Sequence, residues 1–191
     1  MIKTYNMLIH EYSNYAIPDN KISRMVKKQV YTKIVKGLYE TNKNAPGYLL
    51  TNAIYGPSYL SFDFALSYYG MIPETVYILT SACFEKKKKK EYQNEFGTFT
   101  YRDVPSEAYP LGIQIIKEND YTYCIATAEK AICDKLYTLS PVHNKKELKE
   151  LLFEDLRIDE DEFKKLDKES LQQLCDLYHC TNLKILKTLI T

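Results

Sequence analysis

The sequence predicts an α+β protein: a small N-terminal unit of helix and hairpin, then a mixed α+β domain with a helical C-terminal tail. Three observations predict this. Residues 20–29 (NKISRMVKKQ) have helical spacing, with Ile22, Met25 and Val26 on one side and Lys21, Arg24, Lys27 and Lys28 on the other. Residues 30–40 alternate apolar and polar side chains, with Lys33 and Lys36 outward and Gly37 where the chain can turn. Beyond residue 48, two stretches alternate like hairpins before helical periodicity takes over from residue 128.

Taken in order, Lys3 to Asn14 reads as a first helix, with Tyr5, Leu8, Ile9 and Tyr12 inward, ended by Pro18 and Asp19. The basic helix and basic hairpin follow. Together they outline a small winged helix-turn-helix, whose second helix enters a major groove while the wing lies on the backbone. Asn42 to Gly47 (NKNAPG) is the natural linker, dividing the chain into a winged helix-turn-helix DNA-binding domain, 1–45, and a mixed α+β domain, 46–191. Ser58 to Tyr69 reads as a buried helix closed by Gly70, and Thr75 to Ser81 as a strand. Glu91 to Val104 is a hairpin turning near Asn94 to Gly97, and Ile113 to Ile125 another turning at Glu118 to Asp120. Thr127 caps a helix from Ala128 to Leu139. The tail from Lys145 is helical, with a capping-box pattern at Asp159 and Glu162 and later helices over Ser170 to Tyr178 and Asn182 to Leu189. Strands cluster in hairpins, so no βαβ array is expected.

Charge is distributed unevenly. The whole chain carries +1, yet residues 1–45 hold eight Lys/Arg against three acids, a net of +5, leaving −4 on residues 46–191. Such asymmetry points to nucleic-acid contact by one part of the chain. There is no run of 18 apolar residues and no signal-peptide pattern, so a cytoplasmic location without a membrane is expected. The five cysteines, Cys83, Cys124, Cys133, Cys175 and Cys180, are odd in number and sit among apolar neighbours, as reduced buried cysteines do.

Catalytic patterns are weak. Cys175, His179 and Cys180 lack the paired half-sites a structural zinc needs. None of His10, His143 and His179 stands beside a nucleophile motif, and the six glycines form no phosphate-cradling loop. The nearest enzyme-like set is Asp63 with Glu129-Lys130 and Asp134-Lys135, but its spacing is not that of a divalent-metal nuclease. Lys86 to Lys90 reads first as a solvated loop, and secondly as a contact for DNA backbone or an acidic partner. The 18 tyrosines, in a chain without tryptophan, read mainly as core.

Four ordered stretches resemble the AbiEi-type antitoxins. The first is Ile22 to Lys28 followed by Val35 to Thr41, similar to that family's short winged helix-turn-helix. Gly56 to Pro73 (GPSYLSFDFALSYYGMIP) resembles its "PSY-S-x-x-x-ALSYYG" signature. Phe96 to Arg102 is the third, and Ile125 to Tyr137, similar to "IAT-x-EKAL-D-x-LY", the fourth; Asp155 to Ile158 extends the likeness into the tail. The resemblance implies an antitoxin and transcriptional autorepressor of a type IV, abortive-infection toxin–antitoxin pair. Its N-terminal domain would bind inverted repeats in its own promoter, as double-stranded DNA. The chain would counteract a nucleotidyltransferase-like toxin without a stable complex. The short first helix favours dimeric or cooperative binding on DNA. Glu129 and Asp134 match the family's acidic positions, where they would cap and pin a helix.

The residues assign base reading to Asn20, Lys21, Ser23, Arg24 and Lys27, with Arg24 facing a guanine, and phosphate contact to Lys28, Lys33 and Lys36. No catalytic residue, metal or cofactor is assigned. Alternatives are a protein-interaction module without specific DNA binding and, further off, a divalent-metal nuclease.

Overall fold

The computed structural model describes all residues, 1–191. It is a mixed α+β structure with two separate sheets. The first sheet lies within residues 2–40 and combines β1 (Ile2–Thr4), β2 (Thr32–Val35) and β3 (Leu38–Glu40) in the order β1-β3-β2, all antiparallel. Between β1 and β2 run α1 (Tyr5–Glu11) and α2 (Pro18–Lys27). The first predicted helix is therefore shorter than its pattern: residues 2–4 pair with β3, and the Thr4 hydroxyl accepts the Met7 amide to start α1. Pro18 supplies the fixed φ of a first helical turn and starts α2. Gly37, at φ +80°, makes the reversal between β2 and β3 that a side chain would strain. Leu8, Ile22 and Tyr31 form a small core of their own, while Ile34 on β2 belongs to the larger core of the rest of the chain.

That larger core is organised by a six-stranded sheet. A 3₁₀ turn (Gly47–Leu50) runs into α3 (Thr51–Ile54), then β4 (Ser58–Leu60), α4 (Phe62–Tyr68) and β5 (Leu79–Cys83). Two hairpins follow, β6 (Lys90–Asn94) with β7 (Gly97–Asp103), and β8 (Ile113–Glu118) with β9 (Tyr121–Ala126). The strand order is β6-β7-β5-β4-β9-β8. β4 and β5 pair antiparallel at the centre, and each hairpin joins them through a parallel pairing, β7 on β5 and β9 on β4. Both hairpins turn where the alternation predicts. The parallel joints were not predicted, because strand pairing between distant segments leaves no mark in local periodicity.

Ser58 to Tyr69 is not one helix. Its first three residues are β4, buried on both faces, and a short apolar run of that kind has no period by which to tell strand from helix. The break is fixed by Thr80, whose hydroxyl donates to the Ser61 carbonyl at 2.6 Å and accepts the Phe64 amide at 3.1 Å. Phe62 opens α4 at φ +54°, a left-handed conformation that a bulky side chain rarely adopts. The predicted strand at Thr75 also begins later, at Leu79, since Tyr77 and Ile78 stand in solvent with no neighbouring strand.

α5 (Ala128–Tyr137) is the hub of the helical part, capped as expected by the Thr127 hydroxyl on the Lys130 amide. It packs against α4, α8 (Lys168–Leu177) and α9 (Thr181–Ile190). The tail before α8 is broken into α6 (Lys145–Glu150), a π-turn (Leu151–Asp155) and α7 (Glu160–Lys164). Asp159 caps α7 by accepting the Asp161 and Glu162 amides. No helix is long and apolar enough to cross a membrane. The N-terminal unit is tied to this body by side chains: the buried Glu40 accepts the Tyr121 hydroxyl at 2.9 Å, and Asn94 donates to the Ile34 carbonyl at 3.0 Å. Gly47 passes so close to the Phe96 carbonyl and Leu79 that an added Cβ would clash with backbone there.

Candidate nucleic-acid interface

The spacing of α2 decides which side chains leave the protein. Ile22 is buried and Met25 and Val26 half-buried against Leu8 and Tyr31, so the opposite stripe faces water. That stripe is Asn20, Ser23, Arg24 and Lys27, related as i, i+3, i+4 and i+7, and all four are exposed. Lys28 is exposed at the helix C-terminus. Ten residues make α2 about 15 Å long. On the hairpin, Lys33 is exposed between buried Thr32 and Ile34, and Lys36 is exposed beside the Gly37 turn.

Lys21 differs from its neighbours. Its ammonium lies over the Tyr15 ring at 4.8 Å and the Tyr12 ring at 5.7 Å, and the residue is half-buried. These contacts hold the charge against its own domain. Tyr12, Tyr31 and Glu11 form a chain of hydroxyl hydrogen bonds, 2.8 Å and 2.9 Å, that ties α1 to the start of β2. Burial pushes the Tyr31 hydroxyl up, and its bonds to Tyr12 and Glu11 reinforce this, so it remains a donor. Lys3 is engaged by Glu11. By contrast, Lys21, Arg24, Lys27, Lys28, Lys33 and Lys36 form no salt bridge. Five exposed cations thus stand unneutralised on one helix face and one hairpin, which is the electrostatic setting that recruits phosphates.

A second basic region lies on the large sheet. Asp103 accepts the Lys86 and Lys87 amides, the former at 2.9 Å, and the Cys83 thiol at 3.0 Å. Burial works to raise the Asp103 carboxyl, but these three donors outweigh it and hold it below the ordinary carboxylate value. The lysine run is therefore a fixed turn, with Glu85 and Lys87 in left-handed conformations at φ +49° and +57°. It borders a cavity of about 740 Å³ whose lining includes Lys89, Lys90, Arg102 and Lys135. Sequence reasoning missed Arg102. It stands in an alternating strand like any outward residue, and only the fold brings it to the lysines.

The carboxylate–lysine set from the sequence separates into three places. Asp63 pairs with Lys135 at 2.6 Å at the cavity wall, and Glu129 accepts the Asp167 amide at the start of α8. Lys130 and Asp134 are wholly buried and face each other at 3.6 Å along one side of α5. Asp134 accepts hydroxyls from Ser61 at 2.6 Å, Tyr59 at 3.0 Å and Tyr178, while Lys130 donates to the Ala108 carbonyl and lies over the Tyr178 ring at 4.9 Å. Burial pushes the Asp134 carboxyl up, and Lys130 and the hydroxyls oppose that rise. The network joins α5 to β4 and α8, and it is closed to solvent.

Cys175 is buried on α8 next to Cys133, whereas His179 lies beyond the helix end at φ +50°, exposed and 2.9 Å from Glu107. Because α8 ends at Leu177, His179 does not stand one helical turn above Cys175. All five cysteines are free thiols. No protein-family model matches the chain, and comparison with curated proteins finds no match.

Proposed function

We propose that this chain is a DNA-binding transcriptional autorepressor and antitoxin of a type IV toxin–antitoxin pair. In this reading residues 1–45 are a reduced winged helix-turn-helix, with α2 in the major groove and the β2–β3 hairpin as the wing. The supporting observation is the stripe of Asn20, Ser23, Arg24 and Lys27 on α2, which with Lys28, Lys33 and Lys36 presents exposed side chains free of ion pairs. Arg24 is the side chain suited to a bidentate guanine contact, with Asn20, Ser23 and Lys27 reading neighbouring bases. Lys28, Lys33 and Lys36 contact phosphates and set register. Lys21, stacked on two tyrosines, is assigned to orienting the helix more than to reading bases.

A ten-residue helix covers only a few base pairs, so two copies on inverted repeats supply the affinity one lacks. The protein acts in the cytoplasm. Residues 46–191 carry the antitoxin role against a nucleotidyltransferase-like toxin, without a stable complex and without catalysis or cofactor; this half rests on the family resemblance. A reporter fused to the DNA upstream of the gene tests the repressor half. The wild-type chain should silence it and Arg24→Ala should release it. Equal silencing by both would remove α2 from operator reading. Rescue of growth from the adjacent toxin by Arg24→Ala would show the two roles to be separable, as proposed.

A further inference from the structure

The lysine turn and Arg102 take no part in the contacts proposed for α2 and the hairpin. The 740 Å³ cavity adjoins a second of about 350 Å³, and the two share Lys89, Arg102 and Thr138, forming one trough along the sheet. Six cations border it: Lys87, Lys88, Lys89, Lys90, Arg102 and Lys135. Of the three acids beside them, Asp63 is held by Lys135, and Asp103 is occupied by the Lys86 and Lys87 amides and the Cys83 thiol. Glu91 alone is unengaged, so positive charge is in excess. The side chains of Lys88, Lys89, Lys90 and Arg102 take part in no salt bridge.

Flat groups accompany the charge. The Arg102 guanidinium lies 5.9 Å over the Phe62 ring in the trough, and the Tyr137 ring, 39% exposed, lies at the end of the trough that the lysines border. Phe62 is held there in the strained left-handed conformation noted above, and such strain persists only where the surrounding structure enforces it.

We infer that this trough binds the phosphodiester backbone of single-stranded nucleic acid, with Lys88, Lys89, Lys90 and Arg102 on phosphates and Tyr137 stacking a base. Cations tracking a groove beside aromatic rings are what single strands require. The walls, charged and lined by the hydroxyls of Thr80, Thr100 and Thr138, differ from the mainly apolar pockets that enclose small molecules.

The test is fluorescence anisotropy of the full chain with labelled ten-nucleotide oligothymidylate and oligouridylate. The double variant K88E/K89E alters side chains that make no hydrogen bond, so the fold should persist; R102Q serves as an independent second variant. Each should weaken oligonucleotide binding, the double variant about ten-fold or more, while Lys184→Glu, at an exposed lysine of α9 outside both basic regions, leaves it unchanged. Tyr137→Ala should weaken it further without changing the salt dependence. Unchanged binding by K88E/K89E and R102Q would overturn the assignment. So would displacement of the oligonucleotide by an equal concentration of free nucleotide, because the trough would then be a nucleotide pocket. Loss of oligonucleotide binding in Arg24→Ala would likewise overturn it, by moving the site to α2.

Discussion

Lysine meets opposite fates in the two regions of this molecule. On α2 and the β2–β3 hairpin, Lys27, Lys28, Lys33 and Lys36 stand in water with no carboxylate partner. On α5, Lys130 is wholly buried, faces Asp134, and is closed in by Tyr59 and Tyr178. The small cluster of Leu8, Ile22 and Tyr31 under α2 offers those lysines no buried carboxylate, whereas Lys130 finds Asp134 and the Ala108 carbonyl within the larger core. Charge on the first region is available to a ligand, and charge on the second is spent on architecture.

The comparison breaks most severely at the buried pair. Asp134→Ala should destabilise the protein by about 3–5 kcal/mol, because the Lys130 ammonium is left buried without its carboxylate. Chemical denaturation measures this, and a change below about 1 kcal/mol would mean that solvent reaches the network. Next is the small core. Leu8→Ala should cost about 2–5 kcal/mol locally. Hydrogen exchange should accelerate in α1 and α2 before β4 and β9, and uniform acceleration would show one cooperative unit instead of two clusters.

On the exposed side the effects are smaller and appear only with ligand present. Arg24→Ala should leave stability unchanged and cost about 1–3 kcal/mol of binding to specific DNA, with relaxed sequence preference. Lys33→Ala should weaken binding to all duplexes alike and lower the salt slope by about 1. The smallest effect concerns Asp103, whose depressed carboxyl contributes most when ionised. Its stabilisation of the lysine turn is complete above the ordinary carboxylate range and is lost as pH falls through the lower folded value. Protection of the Lys86 and Lys87 amides against exchange should therefore be lost only below the ordinary carboxylate range, and should already be weakened at neutral pH in Asp103→Asn.

What the sequence made legible follows from periodicity. The two hairpins, the capped helix α5 and the apolar stripe of α2 each span enough residues for a period to show. β4 escaped because three buried residues have no period. The parallel pairings of β4 with β9 and β5 with β7 join residues at least 20 positions apart, with no local signature. The exposed α2 residues were legible for the same reason as its core, since one stripe defines the other. Asp134 was not: the three hydroxyls that turn it from a candidate ligand into a helix anchor come from Tyr59, Ser61 and Tyr178, more than 40 residues away. The trough was only half legible, as a lysine run without Arg102 or Tyr137.

The most direct test of the account is fluorescence anisotropy with DNA from immediately upstream of the gene, beside a scrambled duplex, across a salt series. If α2 reads the operator, binding to the upstream DNA should be tighter, affinity for both duplexes should fall steeply with salt, and the difference between them should vanish in Arg24→Ala. Equal, weak and salt-insensitive binding to both duplexes would contradict it, and would leave the exposed cations of α2 and the hairpin to a protein partner.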